Sequence, residues 1–146
     1  MHPKISEFLN KTFKSIEFNE TGNGGPGGQS QFLNIKDKKV NIHYDRLKSI
    51  NNDFWFGISK SIIKEADFFI FICNEIDIFY IIPKSDMRQL LEDAKENTSD
   101  PSKLTFHIKS DKHLIRITKY IEEDIFRYFK RINYIKGKKN SNEESW

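Results

Sequence analysis

The sequence predicts a mixed α+β fold, a single central sheet of about five to seven strands flanked by helices, on three observations. Asp67 to Cys73 (Asp-Phe-Phe-Ile-Phe-Ile-Cys) is apolar at consecutive positions, the pattern of a strand covered on both faces. Helical periodicity marks both ends of the chain, where Ile5, Phe8, Leu9 and Phe13 lead and Ile121, Ile125, Phe129 and Ile132 close. The order helix, hairpin and third strand, two apolar strands, helix, hairpin, helix lacks the βαβ alternation of a doubly wound array.

A first helix is expected over Pro3 to Ile16, with Lys4, Glu7, Lys11 and Lys14 on its polar side. Residues 20–31 hold five of the seven glycines and are expected to form a flexible loop. Phe32 and Ile35, then Val40, Ile42 and Tyr44, make a hairpin around the polar turn Lys36 to Lys39. Phe54 to Ile58 is a third, aromatic strand, and Ser59 to Lys64 is either a helical turn or irregular. Asn74 to Asp77 turns the apolar strand into Ile78 to Ile82, which Pro83 stops by lacking a donor. Asp86 with Gln89 three residues on suggests a capping box for a helix burying Met87, Leu90, Leu91 and Ala94. Leu104 to Ile108 and Leu114 to Ile117 form a second hairpin, and a last helix runs from Lys119 to Asn133. The expected domain is 1–136, with 137–146 a disordered tail, because 146 residues suit one core better than two.

Composition narrows the function classes. Thirteen Phe, five Tyr and two Trp give the chain an aromatic core, and the strand aromatics are expected inside it. The segments are too short for a membrane span and the start lacks the apolar stretch of a secretory signal, so a cytoplasmic protein is expected. Cys73 is the one cysteine, which excludes an intrachain disulfide and a cysteine-rich zinc site. The net charge of +3 conceals an acid-free stretch, Arg127 to Lys139, containing six cations.

No P-loop spacing occurs in the glycine loop, and no histidine pair has the spacing of a helical metal site. His107 and His113 flank a turn and are placed to meet across it. Cys73, inside the most apolar strand, reads as inert packing.

From Ile5 to Leu91 the chain resembles the core of PD-(D/E)xK nucleases of the restriction-enzyme type. The resemblance lies in a helix ahead of the Val40 to Ser49 hairpin strand, the aromatic Phe54 to Ile58, and two apolar strands, the second ending Ile-Ile-Pro at Pro83. It implies two acidic groups holding Mg²⁺ beside the scissile phosphate and a lysine near the attacking water. The matching strand carries Asn41 in place of the acid and His43 in place of the lysine, and Phe32 to Asn34 supplies no upstream acid. Asp37 and Lys39 offer a D-x-K with Glu17 or Glu20 upstream, although a turn suits a solvated charge cluster. Alternatively, Glu20, His43 and Asp45 assemble a different metal site, His43 and Asp45 sharing a strand face by parity.

The expected function is therefore a DNA-binding, nuclease-like domain of a prokaryotic restriction or defence system without cleavage of its own. Its partners would be double-stranded DNA and other restriction-system subunits. Gln29, Gln31, Asn41, His43, Arg46, Lys48, Lys130 and Arg131 are the expected DNA contacts, mixing cations for phosphates with amides for base edges. An active Mg²⁺-dependent endonuclease and a protein-interaction or inhibitor module are the alternatives.

Overall fold

A computed structural model describes the backbone of residues 1–13, 18–23, 30–47 and 51–137, and the side chains of these except 18–23. The strands form two sheets rather than one. The first has the order β1 (Phe18–Asn23), β2 (Ser30–Ile35), β3 (Lys38–Asp45), β5 (Phe68–Cys73), β6 (Phe79–Pro83). The second has the order β10 (Ile121–Asp124), β9 (Leu114–Thr118), β8 (Lys103–Lys109), β4 (Asp53–Ser59), with β7 (Lys95–Glu96) also paired to β8. Helices α1 (Pro3–Thr12), α2 (Lys60–Glu65), α3 (Lys84–Leu90) and α4 (Asn133–Lys136) complete the described elements.

The two-sidedness of β5 has a direct cause. Its sheet is the middle layer, so Phe69, Phe71 and Cys73 face the second sheet while Ile70 and Ile72 face α1. The inter-sheet core adds Phe54, Phe56, Ile58, Phe106, Ile108, Ile115 and Ile117. The other core packs Ile5, Phe8, Leu9 and Phe13 on Val40, Ile42 and Tyr44. β3 runs parallel to β5 and antiparallel to β2, and the β3 to β5 connection contains β4 and α2. That excursion places β4 in the second sheet, which is why a linear reading of successive strands merges the two layers into one.

Several boundaries differ from expectation. α1 ends at Thr12, where the Phe13 amide closes it on the Leu9 carbonyl at 2.8 Å. At its start His2 Nδ1 accepts from the Lys4 amide at 3.1 Å, ahead of Pro3. Part of the expected loop is strand: Phe18–Asn23 pairs with β2, with a register irregularity between Glu20 and Gly22, and Ser30 and Gln31 belong to β2. Edge pairing supplies hydrogen bonds that a glycine-rich composition does not advertise. Residues 24–29 of that loop lie outside the described residues, as do Ile16, Lys14 and the tail from 138 to 146.

The capping box is absent: α3 starts at Lys84, and Asp86 sits within its first turn. The long C-terminal helix is replaced by β10, a 3-10 turn at Phe126–Tyr128 and α4. Ile125 and Tyr128 are buried between the sheets whereas Ile135 is buried against α1, so this segment serves two cores that one straight helix face does not reach. Lys130, at φ 55°, makes the bend. Among the described residues no helix is long and apolar enough to cross a membrane.

Candidate nucleic-acid interface

Strict alternation along β3 sends Asn41, His43 and Asp45 toward the inter-sheet space, opposite Phe69, Phe71 and Cys73 of β5. Asn41 is 0% and His43 5% exposed, and they satisfy each other. Asn41 Oδ1 accepts from His43 Nε2, and Asn41 Nδ2 donates to the Gln31 carbonyl at 3.3 Å. The His43 ring stacks on Phe71 with centroids 5.3 Å apart and meets Phe56 edge-on at 6.3 Å. Burial, reinforced by the charge of Lys103, lowers the His43 pKa from 6.5 to about 3, so the ring is neutral. Asp45 is buried as well, and its Oδ2 accepts from the Trp55 amide at 3.0 Å.

This geometry corrects the expectation of a DNA-contacting face on β3. Side chains held in the interior by one another reach no phosphate or base edge while the sheets stay together. Gln31 is also buried, and Gln29 and Lys48 lie outside the described residues. Arg46 is exposed beyond the end of β3. Lys130 and Arg131 are exposed on the segment between β6 and α4, where Arg131 Nε donates to the Arg127 carbonyl at 2.8 Å. Near α4, Lys36 Nζ donates to the Lys136 carbonyl at 2.6 Å.

The catalytic candidates do not converge. Asp37 and Lys39 are exposed at the β2–β3 turn, and Asp45 ends β3, whose eight residues span roughly 27 Å from that turn. The Glu20 side chain and all of Glu17 lie outside the described residues. Among the described residues no three His, Cys, Asp or Glu side chains are grouped to hold a metal ion.

The histidine pair is separated too. His107 Nδ1 lies 3.0 Å from Asp53 Oδ1, and His113 Nδ1 lies 2.7 Å from the Tyr80 hydroxyl. Cys73 is buried, and burial drives its thiol pKa well up, as inert packing requires.

Among the described residues, the outward side chains of the second sheet are half-buried to exposed. Cross-strand register builds one row from Trp55, His107, Arg116 and Glu122, and beside it another from Asp53, Lys109, Leu114 and Asp124. The sequence Phe-Trp-Phe-Gly-Ile explains the first position: Phe54, Phe56 and Ile58 point in, while Trp55 and Gly57 point out. Trp55 is 44% exposed. Its Cη2 would lie 3.6 Å from a Cβ placed on Gly57, so the far edge of the indole reaches along the strand to the glycine.

The rest of these two rows mixes the cations Lys109 and Arg116 with the acids Asp53, Glu122 and Asp124. Lys109 Nζ pairs with Glu122 Oε2 at 3.4 Å. Arg116 has its Nε shielded from solvent without a hydrogen-bond acceptor. A buried unpaired donor costs about 1–3 kcal/mol. Asn51, Asp53, Lys109, Asp111, Lys112 and Arg116 line a hollow at this end of the sheet.

Sequence reasoning placed Trp55 in the core and passed over Arg116 and Lys109. The period-2 pattern of Phe54 to Ile58 was the signal for Trp55; nothing local to Arg116 marks it, because its neighbours come from β8 and β10. No family model, curated protein or solved structure matches the chain.

Proposed function

We propose that this protein is a nucleic-acid-binding module that seats an unpaired base on the open face of its second sheet. The observation that carries this reading is the half-exposed Trp55 indole, its edge reaching to Gly57, in one row with His107 and Arg116. A π-face flanked by cations is the arrangement by which sheet surfaces hold single strands: stacking supplies sequence-tolerant affinity and the cations follow the backbone. DNA as the partner, and a restriction or defence system as the setting, rest on the resemblance of residues 5–91 to nuclease cores. Lys130 and Arg131 remain available for phosphate contact elsewhere on the molecule.

Binding proceeds without cleavage in this reading. The positions corresponding to the nuclease acid and lysine, Asn41 and His43, are hydrogen-bonded to each other in the interior.

The test is fluorescence anisotropy with labelled single- and double-stranded DNA of equal sequence at about 50 mM salt, where phosphate contacts are strong. Single strands should bind more tightly, and Trp55→Ala should weaken them by about 5- to 150-fold, the range for one lost stack of about 1–3 kcal/mol. Absence of binding, or a Trp55→Ala protein with unchanged affinity, sinks the proposal. Cleavage of the strand on adding Mg²⁺, abolished by Asp37→Asn, would establish the endonuclease alternative.

A further inference from the structure

The hollow beside the platform has a composition that stacking alone leaves unexplained. Lys109, Lys112 and Arg116 contribute three cations to its lining, against the carboxylates of Asp53 and Asp111. Asp53 is engaged by His107 at 3.0 Å. Arg116 Nε is the one buried side-chain nitrogen or oxygen among the described residues without a hydrogen-bond partner. A guanidinium edge presents parallel N–H donors to which two oxygens of a phosphate fit, and such charge-assisted bonds are short and strong.

Building on the reading of this face as a nucleic-acid surface, we infer that the hollow is an anion site for a backbone phosphate adjoining the base stacked on Trp55. Trp55 and Arg116 lie in the same cross-strand row with only β8 between their strands. Two strand spacings are about 9.6 Å, the scale of one nucleotide once both side chains reach toward it. The lining also discriminates between kinds of phosphate. Lys109 is shared with Glu122, so the three cations meet three carboxylates, and the single charge of an internal phosphodiester is held there at less cost than a double charge. A terminal monoester or inorganic phosphate, close to −2 at neutral pH, leaves uncompensated charge beside Asp53 and Asp111. The ligand class is therefore the interior of a single strand rather than a free mononucleotide.

The experiment measures binding of a ten-residue oligothymidylate across a salt series, for the wild type and for Arg116→Gln and Lys112→Gln, each confirmed folded by circular dichroism. The wild type should bind it at least tenfold more tightly than thymidine 5′-monophosphate. Each substitution should reduce the log–log salt slope by about 0.7, the value for one phosphate contact on a single strand. Quenching of tryptophan fluorescence in the saturated complexes should persist, because the stack is untouched. Lys112 is exposed at the β8–β9 turn, so its variant answers the question even where Arg116→Gln fails to fold. Unchanged slopes in both folded variants, with binding still dependent on Trp55, overturn the phosphate site alone. A wild type that does not bind the oligothymidylate at low salt overturns the nucleic-acid reading beneath it. Tighter binding of the monophosphate or of inorganic phosphate refutes the diester preference.

Discussion

The carboxylate of Asp45 accepts the backbone N–H of Trp55 at 3.0 Å, joining the last residue of β3 in one sheet to the edge strand of the other. β4 pairs with β8 on one side only, so its outward amides are the groups an edge strand offers to stray pairing. One buried carboxylate occupies such an amide and fixes the strand carrying the platform.

Asp45→Ala should destabilise the protein by about 1.5–3 kcal/mol, the range for a hydrogen bond to a charged group, because the Trp55 amide loses its acceptor. Urea denaturation checks this through a lower midpoint at an unchanged slope. A change below about 0.5 kcal/mol would mean that the link between the sheets is dispensable.

Acid should weaken the fold through His43. Its folded pKa of about 3 lies below the ordinary value of 6.5, so the unfolded chain binds the extra proton between those values. Stability tied to the neutral ring is complete above pH 6.5 and is lost as pH falls toward 3, with a slope of up to about 1.4 kcal/mol per unit. Denaturation midpoints from pH 7 to 4 should fall more steeply for the wild type than for His43→Gln. Parallel curves would contradict a neutral buried ring.

Gly57→Val should separate stability from binding. A Cβ at this site meets only ordinary contacts, but the valine methyl groups crowd the edge of the indole. The β-branched side chain suits a strand, on a propensity scale of about 1 kcal/mol, so the melting temperature should hold or rise. Affinity for single strands should drop severalfold as the indole lifts. Wild-type affinity in this variant would show that the packing of Trp55 against Gly57 is unimportant.

Cys73 should resist thiol reagents in the native protein. It is 1% exposed, and burial raises its pKa well above 9.0, so the reactive thiolate is scarce and shielded. Labelling by a disulfide reagent should accelerate in step with unfolding across a urea series. Stoichiometric labelling within seconds in buffer would reveal an interior that opens readily.

The two-sided apolarity of Phe68 to Cys73, the α1 stripe of Ile5, Phe8, Leu9 and Phe13, and the hairpin through Val40 to Tyr44 were all legible, because each is encoded by local periodicity. The site was not. Asn41 and His43 looked like a working strand face because parity states which residues share a side and is silent on what covers that side.

The sequence by itself determined the α+β class and the two-sided central strand. Tertiary structure alone decided that the strands part into two sheets, that one face of β3 is sealed by the second sheet, and that Arg116 stands in a row with Trp55. The reason is physical: periodicity acts over a few residues, whereas pairing between strands dozens of residues apart settles which face meets another layer and which meets water.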